Sequence, residues 1–313
     1  MTRTPSGGPD GIVVVAKPPG MTSHDVVARA RRLLGTRKVG HAGTLDPMAT
    51  GVLVLGVGRA TRLLHHLTAD RKEYRAVVRL GWASSTDDAE GEPLVPTGLQ
   101  ERHAALQHLD RQRIGRAAAA LTGDIEQVPP AVSAIKVAGR RSYARARAGE
   151  EVRLPARSVR VTRLEVTEVG PVREGTSHSP AGYPYRDVHV DVACSAGTYV
   201  RSLARDLGAA LGVDGHLAVL ERTRSGVFTL AEARTLEQLA EDPAVTPVAE
   251  VLQRVFPVRK VSAVETDRLA HGGRITATGR EGLHAAIGPD HQAVALITDV
   301  DGSSRPVLVF AAG

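Results

Sequence analysis

The chain has 313 residues, of which 42% are hydrophobic and 24% charged, a composition typical of a globular protein with one large domain or two smaller ones. This composition excludes a chain that is disordered throughout. The longest apolar runs, 12–16 and 52–57, have the length of strands, which excludes membrane-spanning helices of ~18–20 apolar residues.

The N-terminal and cysteine patterns point to a cytoplasmic protein. Residues 1–11 are polar and rich in Gly and Pro, and they lack the apolar stretch of ~7–15 residues that a secretory signal needs. Cys194 is the only cysteine, which excludes an intrachain disulfide framework and a multi-cysteine metal site.

The charge balance suggests a polyanionic partner. Forty basic and 34 acidic side chains leave a net charge of +6. Most of the basic residues are arginines, whose planar group suits bidentate phosphate contacts, although the base composition of the genome equally explains this preference. Because Phe, Trp and Tyr make up only 3% of the chain, we do not expect an RNA surface built from many stacked rings.

The N-terminal part of the chain predicts a strand, a helix, a loop and a second strand. The first strand covers 12–16, and in the helix after it Ser23 is the expected N-cap and Gly35 the end. Residues 40–50 follow neither a strand period nor a helix period, so they predict a loop, which leads into the buried strand 51–58.

The middle of the chain continues this alternation. Apolar residues at every second position predict a strand over 74–80, and residues 99–121 predict a helical region. The segment 125–153 is rich in Arg and Lys and poor in bulky apolar residues, which indicates a protruding basic loop or hairpin.

The C-terminal half predicts two strands, at 159–169 and 188–194, separated by a surface loop over 173–186. A helix with Thr198 as a candidate N-cap closes near Gly212. Beyond Pro257, Gly-rich turns and short strands indicate a small β-rich module. Together these elements predict an α+β fold around a mixed sheet.

The loop around Asp46 is the first candidate site. Pro47 restricts Asp46 to extended backbone, and Gly40 and Gly43 permit tight turns before it, so the loop can hold a carboxylate in a fixed direction. An ordinary Asp-Pro turn explains the same residues.

Two further clusters contain candidate residues. If the backbone is extended at the start of the helix after residue 197, Tyr199 and Arg201 lie on one side, where Arg201 can pair with a carboxylate. A solvated arginine in the first turn of a helix is the plain alternative. Tyr74 lies on the apolar face of its strand, as either a core tyrosine or a platform on which a base stacks.

The sequence gives no sign of a metal or a nucleotide cofactor. His41 has no second His or Cys at a spacing typical of metal ligands. The segment 56–60 lacks the third glycine of a dinucleotide-binding fingerprint, and no phosphate-binding loop of the Walker type occurs. We therefore expect neither a metal nor a cofactor.

Six segments, in this order, resemble the bacterial TruB family of tRNA pseudouridine synthases. The resemblance covers roughly 11–228 and rests on these motifs: Lys17-Pro-Pro-Gly-Met-Thr-Ser23, Gly40-His-Ala-Gly-Thr-Leu-Asp-Pro-Met-Ala-Thr-Gly51, Lys72-Glu-Tyr74, Gln127-Val-Pro-Pro-Ala-Val-Ser-Ala-Ile-Lys136, Gly197-Thr-Tyr-Val-Arg201 and Gly215-His-Leu-Ala-Val-Leu220. It implies an enzyme that isomerises uridine 55 in the TΨC loop of tRNA to pseudouridine after flipping the base out of the RNA.

The resemblance also implies roles for single residues. Asp46 is the catalytic carboxylate, Arg201 its ion-pair partner, and Tyr74 the ring that stacks on the flipped base and takes part in removing the C5 proton. Five further residues are implied in binding the substrate or shaping its pocket: His41, Arg62, Lys17, Tyr199 and Leu220. Of these, Lys17 belongs to a structural Lys-Pro motif.

The family pattern further implies a domain organisation. It consists of a tail over 1–10, a catalytic domain over 11–255 with a largely antiparallel sheet and flanking helices, and a PUA-like β domain over 256–313. The segment 125–153 is expected to contact RNA. RNA binding by residues 257–313 is a hypothesis, which a truncation with unchanged tRNA affinity would refute. The implied partner is the TΨC stem-loop of tRNA, bound by a monomer that needs neither a cofactor nor an obligate protein partner.

Three features depart from the family pattern, and two other functions are alternatives. Arg62 stands where the family often has lysine, Glu221 interrupts a stretch that usually reads Leu-Arg-Arg, and 173–186 looks like an insertion. One alternative is a non-catalytic tRNA-binding or tRNA-folding protein on the same fold. The other, a glycosidase-like hydrolase, normally needs two opposed carboxylates, and the matching segments offer no second acidic candidate to accompany Asp46.

Overall fold

The computed structural model describes residues 9–68, 71–95, 98–131, 136–137, 140–141, 154–174 and 180–310. Its helices are α1 (Ser23–Leu33), α2 (Leu64–Leu67), α3 (Leu99–Gln107), α4 (Arg111–Ala120), α5 (Val200–Leu211), α6 (Leu236–Glu241), α7 (Val248–Val255) and α8 (Ala263–Ala270). Short 3-10 helices cover Gly58–Leu63, Pro180–Gly182 and Leu230–Glu232.

The strands of the first half are β1 (Gly11–Lys17), β2 (Val39–Ala42), β3 (Thr50–Val57), β4 (Lys72–Leu80), β5 (Ala83–Ser84), β6 (Pro93–Leu94), β7 (Gly123–Gln127), β8 (Lys136–Val137) and β9 (Arg140–Arg141). Those of the second half are β10 (Arg157–Arg173), β11 (Tyr185–Cys194), β12 (Gly215–Ser225), β13 (Phe228–Thr229), β14 (Thr246–Pro247), β15 (Val258–Lys260), β16 (Ile275–Thr276), β17 (Leu283–Ile287), β18 (Ala293–Val300) and β19 (Ser303–Val309). The predicted α+β class is confirmed.

The chain forms two compact units. Unit 1 comprises Met1–Asp46, Val52–Thr68 and Val227–Gly313, and unit 2 comprises Pro47–Gly51 and Ala69–Gly226.

In unit 1, the N-terminal strands and the C-terminal sheet share one core. β1 lies between β14 and β3, and β2 pairs antiparallel with β3. The C-terminal sheet has the order β15–β17–β18–β19–β16, in which only the β15–β17 pair is parallel. Apolar side chains from β1, β3, α7 and this sheet bury one another; they include Ile12, Val14, Val52, Val54, Val251, Leu252, Ala285, Ile287, Leu296 and Phe310.

Unit 2 is built on an antiparallel sheet with the order β12–β4–β11–β10–β7. Along β4, Tyr74, Ala76 and Val78 are buried while Arg75 is exposed, which is the period expected of a strand with one face in the core. Helix α5 packs against β12, and its leucines are buried.

The start of β3 joins this sheet of unit 2 by pairing parallel with β12 at Glu221 and Arg222. Gly51 has a φ of +97°, and a Cβ there would lie 2.2 Å from the carbonyl oxygen of Arg222. Only glycine therefore fits this close approach of two backbones.

Two helix starts differ from prediction by one residue. Thr22, not Ser23, caps α1: Oγ1 of Thr22 accepts the N–H of Asp25 at 3.1 Å, and the Asp25 carboxylate accepts the N–H of Thr22 at 2.9 Å. The cap of α5 is Tyr199 rather than Thr198, whose hydroxyl instead donates to the carbonyl of Ser195 at 3.0 Å.

Two other boundaries differ because of a helix cap and of strand pairing. The helical region 99–121 is two helices, since Asp110 caps α4 by accepting the N–H of Arg113 at 2.6 Å. Gly40 and His41 lie in β2 instead of the predicted loop, where His41 pairs with Leu55 of β3.

The predicted surface loop 173–186 is in part core. Tyr183 and Tyr185 are buried and meet Trp82 edge-on, with ring centroids 6.1 and 5.8 Å apart. Residues 175–179 lie outside the described part of the chain. Most of the basic segment 125–153 also lies outside it, so its predicted contact with RNA stays a prediction.

Candidate active site

Asp46 is half-buried in the loop between β2 and β3, in unit 1. The loop turns at Gly43, whose φ is +81°, a conformation that favours glycine. The residue before Asp46 is held in place, because the buried hydroxyl of Ser23 bonds to both the N–H and the carbonyl of Leu45. Hydrogen bonds from Ser23 therefore hold the backbone next to Asp46 in place.

Lys17 supports the turn that leads to helix α1. Its ammonium donates to the carbonyl oxygens of Pro18 and Met21 at 2.9 and 2.6 Å, and the residue is only 1% exposed. A buried ammonium needs such partners, since burying it without them would be costly. These two bonds tie Lys17 to its own turn.

His41 and Arg62 also lie in unit 1. The half-buried ring of His41 meets the ring of His24 edge-on, with the centroids 5.4 Å apart. Arg62 lies in the last turn of the 3-10 helix after β3, is exposed, and donates to the carbonyl oxygen of Val309 at 3.0 Å.

Tyr74 and Leu220 lie on the same buried face of the sheet in unit 2. Tyr74 pairs with Val192 on one side and with Arg222 on the other, and Leu220 pairs with Ala76, two residues further along β4. Both side chains are buried. The structure thus brings these two predicted site residues to one surface.

Arg201 is in the first turn of α5 and pairs with a carboxylate that the sequence analysis missed. Its Nη1 lies 3.3 Å from Oδ2 of Asp88, and the two side chains are only 6% and 4% exposed. Nη1 also donates to the carbonyl oxygen of Thr86 at 3.1 Å. Because an ion pair this deeply buried is weakly hydrated, the guanidinium is held in one direction.

Asp88 is in turn fixed by its own loop. Its Oδ1 accepts the hydroxyl of Thr86 at 2.6 Å and the N–H of Glu90 at 3.1 Å, and its carbonyl accepts the hydroxyl of Ser84 at 2.6 Å. In the sequence, the stretch Ser84-Ser-Thr-Asp-Asp88 reads only as a turn. Nothing in that pattern distinguishes the buried Asp88 from its neighbour.

That neighbour, Asp87, has a φ of +60° and pairs with Arg205 of α5 at 2.7 Å. Burial raises the pKa of the Asp87 carboxyl above its ordinary value, although the adjacent Arg205 opposes the shift. Two consecutive acidic residues therefore tie this loop to two arginines on one helix.

Gln127 fastens the beginning of the same helix. Its buried side-chain amide donates to the carbonyl of Tyr199 at 3.1 Å and accepts the N–H of Tyr199 at 2.8 Å. The hydroxyl of Ser202 adds a bond to the carbonyl of Val128 at 2.9 Å. Gln127 therefore bonds both backbone groups of Tyr199, whose own side chain makes no capping bond, and sequence reasoning gave Gln127 no such role.

Each unit thus gathers part of the predicted set. Asp46, His41, Lys17 and Arg62 belong to unit 1, and Tyr74, Leu220, Tyr199 and Arg201 belong to unit 2. Among the residues that the structure describes, no group of three or more His, Cys, Asp or Glu side chains could hold a metal ion. Within the same ranges, no helix is long and apolar enough to cross a membrane.

Comparison with known families gives three matches that together cover nearly the whole chain. A profile described as "TruB family pseudouridylate synthase (N terminal domain)" matches residues 31–200. A "tRNA pseudouridylate synthase B C-terminal domain" matches residues 201–257, and "tRNA Pseudouridine synthase II, C terminal" matches residues 256–311.

Curated relatives match over almost their full length. A tRNA pseudouridine synthase B of Thermobifida fusca is 54% identical over 302 residues, which is 96% of this chain and 99% of the relative. Another of the same name, from an Arthrobacter species, is 50% identical over 96% of both chains.

Solved structures share the fold. A chain in a structure described as an H/ACA RNP bound to a substrate RNA containing 2′-deoxyuridine superposes with a TM-score of 0.68 at 24% identity, covering 99% of this chain and 92% of that one. A chain of an archaeal box H/ACA sRNP Nop10-Cbf5 complex superposes with a TM-score of 0.66 at 25% identity, over 96% and 86% of the two chains.

Proposed function

Because the chain belongs to the TruB family of pseudouridylate synthases, we propose that it isomerises uridine 55 in the TΨC loop of tRNA to pseudouridine. It is a tRNA pseudouridine synthase and therefore an isomerase. The observation that carries this conclusion is the identity of about half of all residues to tRNA pseudouridine synthases B along nearly the whole chain. The position of the uridine and the roles of the residues below are our proposal.

Asp46 supplies the carboxylate on which the reaction depends. The bond between C1′ of the ribose and N1 of the uracil breaks, the base turns, and C1′ bonds to C5 instead. The proton on C5 leaves to water and N1 gains one, so atoms and electrons balance without an oxidant or a reductant. A half-buried carboxylate on a fixed loop suits this task because it can meet a flipped nucleotide in one orientation.

Arg201 contributes a guanidinium whose orientation is fixed. The contacts with Asp88 and with the carbonyl of Thr86 provide that direction. A positive charge close to a carboxylate keeps that carboxylate ionised. The family resemblance gives this role to Arg201. Asp88 is then a positioning residue that acts through Arg201.

Tyr74 and Leu220 form part of the surface that receives the base. A uridine inside a folded loop can be attacked only after it leaves the stack, and this costs a few kcal/mol. Stacking on an aromatic ring returns about 1–3 kcal/mol. The ring of Tyr74 provides this contact and takes part in removing the C5 proton, and Leu220 packs beside it on the same face.

The other predicted site residues fall into two groups, which differ in what their side chains contact. We assign Lys17 to the turn before helix α1, since its ammonium donates to two carbonyl oxygens of that turn. His41, Arg62 and Tyr199 retain the proposed contact with the flipped nucleotide or its pocket. The enzyme acts on tRNA in the cytoplasm as a monomer without an obligate protein partner.

The test is tritium release from an unmodified tRNA transcript labelled at C5 of uridine, without metal or cofactor. We expect the parent protein to release one label per tRNA and Asp46→Asn, which removes the charge but keeps the shape, to release none. Asp124→Asn is the matched control, because Asp124 pairs with Arg160 on the exposed edge of the sheet in unit 2. It should release tritium at the parent rate.

A transcript with cytidine at position 55 tests the target. It should release no label if uridine 55 is the substrate, and release from it would place the reaction elsewhere in the RNA. Tight binding of the tRNA with no release by the parent would instead favour the non-catalytic tRNA-binding alternative.

A further inference from the structure

We infer that Ser23 is a positioning residue for the reaction, because its hydroxyl fixes the peptide that carries Asp46. The inference rests on the proposed function, in which Asp46 is the catalytic carboxylate. It concerns a side chain that the sequence analysis treated only as a helix cap.

The hydroxyl of Ser23 satisfies both backbone groups of a residue 22 positions further along the chain. Oγ accepts the N–H of Leu45 at 2.9 Å and donates to the carbonyl oxygen of Leu45 at 3.1 Å. Ser23 is 1% exposed and Leu45 is 4% exposed, so water cannot easily replace either bond. One buried oxygen therefore holds the loop at this point.

The constraint passes directly to Asp46. The carbonyl of Leu45 belongs to the planar peptide unit that ends at the N and Cα atoms of Asp46, so fixing that oxygen fixes the plane from which the Asp46 side chain leaves. On the other side, Pro47 restricts the backbone of Asp46 to extended conformations. Asp46 thus lies between a hydrogen-bonded peptide and a proline.

The helix that carries Ser23 is itself well anchored. The reciprocal bonds between Thr22 and Asp25 fix its first turn, and the ammonium of Lys17 closes the turn before it. Because Thr22 provides the N-cap, the hydroxyl of Ser23 is not needed for capping and bonds to the loop instead. The support under the loop is therefore rigid.

A second contact links the same helix turn to the strand before the loop. The ring of His24 meets the ring of His41 of β2 at an interplanar angle of 84°. Two consecutive residues, Ser23 and His24, thus contact Leu45 and His41, which lie four residues apart. The first turn of α1 holds the Asp46 segment at two points.

The alternative is that Ser23 only stabilises the fold. Ser23→Ala removes the oxygen and leaves the space almost unchanged. The matched control is Ser304→Ala, since Ser304 is fully buried in the C-terminal sheet and its hydroxyl donates to Asp299 at 2.5 Å and accepts Nη1 of Arg259 at 2.7 Å. Both variants remove the donated and accepted hydrogen bonds of one buried serine hydroxyl, but only Ser23 lies beside the Asp46 segment.

Three measurements separate the two explanations. The first is the single-turnover rate of tritium release at saturating tRNA, the second is the dissociation constant for the same tRNA, and the third is hydrogen exchange of the backbone N–H groups of 43–46, 48 and 49 in the free protein. All three are measured well below the melting temperature of each variant, so that unfolded protein does not contribute to the measured differences.

A role in positioning predicts a specific pattern. Displacing a reacting group by about 1 Å can cost about 100-fold in rate, so we expect Ser23→Ala to lower the single-turnover rate by about 10- to 100-fold. Its affinity for tRNA should stay within about two-fold of the parent, because binding needs no aligned carboxylate. The amide of Leu45 should exchange at least about ten-fold faster in Ser23→Ala. Ser304→Ala should leave the single-turnover rate and the exchange of the Leu45 amide unchanged.

Other results would overturn the inference. A single-turnover rate within two-fold of the parent would do so, as would a defect that lies in tRNA affinity or an equal loss in Ser304→Ala. If the parent itself releases no tritium, the proposed function fails. Unchanged exchange of Leu45 in Ser23→Ala would then separately show that the hydroxyl does not hold the loop.

Discussion

Asp88→Asn tests the claim that a buried ion pair fixes Arg201. The substitution keeps the shape of the side chain and an oxygen that can accept the hydroxyl of Thr86, but it removes the charge 3.3 Å from the guanidinium. Removing one partner of a buried pair costs about 3–5 kcal/mol, because the other charge is left in a poorly hydrated site. We expect the lower end, about 3 kcal/mol, since Arg201 keeps its bond to the carbonyl of Thr86.

This loss is large enough to measure by thermal unfolding. For a folding unit of this size, 1 kcal/mol corresponds to about 2–4 °C, so Asp88→Asn should unfold about 6–12 °C below the parent. Asp124→Asn serves again as the control, because Asp124 and Arg160 are both exposed and such pairs contribute little. It should unfold close to the parent temperature.

A double-mutant cycle makes the assay specific to the pair. If Asp88 and Arg201 stabilise each other, the combination of Asp88→Asn with Arg201→Met should lose less stability than the two single variants added together. Purely additive losses would refute the reasoning. So would an Asp88→Asn protein that unfolds at the parent temperature, because the buried charge would then need no partner.

Three further variants probe other parts of the site and the fold. Gln127→Met keeps the volume but removes both bonds to the peptide of Tyr199, so we expect a single-turnover rate about ten-fold lower with little change in tRNA affinity. Gly51→Ala places a Cβ 2.2 Å from a carbonyl oxygen at a φ of +97°, and we expect it to lower the free energy of unfolding by about 2 kcal/mol or more in denaturant titrations. Hydrogen bonds from the hydroxyl of Ser304, from the backbone N–H groups of Thr278 and Arg280 and from the hydroxyl of Thr278 lower the pKa of Asp299 to about 2. Because this pKa is depressed on folding, the stability it adds is present at neutral pH and is lost as the pH falls from about 4 through about 2, so the melting temperature of Asp299→Asn should depend less on pH over that range.

Each of these three has a clear contrary result. A Gln127→Met protein that turns over at the parent rate would show that the bonds to Tyr199 do not position the helix. Gly35→Ala is the control for Gly51→Ala, since Gly35 has a φ of +60° but open space where a Cβ would go. If Gly35→Ala and Gly51→Ala lower the free energy of unfolding equally, the positive φ alone causes the loss and the close approach to Arg222 does not contribute. Parallel pH curves for the parent and Asp299→Asn would contradict the assigned cause.

The sequence predicted those elements of the fold that are determined by a pattern of neighbouring residues. The apolar run of β1, the alternation in β4 and the Gly-Pro punctuation around Asp46 are each contained within about ten residues. Local patterns also explain the errors: Thr22 and Ser23 are both good caps by type, and only the position of Asp25 relative to Thr22 decides between them.

The missed site residues act across long stretches of chain. Ser23 contacts Leu45 over 22 positions, Gln127 contacts Tyr199 over 72, and Asp88 reaches Arg201 over more than a hundred. Before folding, each of these polar side chains resembles many others in turns and helix ends. They differ only in burial, and burial is set by which strands become neighbours, so no local reading of one sequence could select them.

The shared core of unit 1 has a consequence for synthesis of the protein on the ribosome. Ile12 and Val14 of β1 are buried in one cluster with Leu296 and Phe310, so this core joins residues that lie almost 300 positions apart in the sequence. At about 5–20 residues per second, roughly 12–50 s pass between translation of residue 68 and of residue 310. During that interval β1 lacks the C-terminal strands with which it shares this core. We therefore expect newly made protein to gain activity only after β18 and β19 have left the ribosome, and deletion of these two strands to yield insoluble chains.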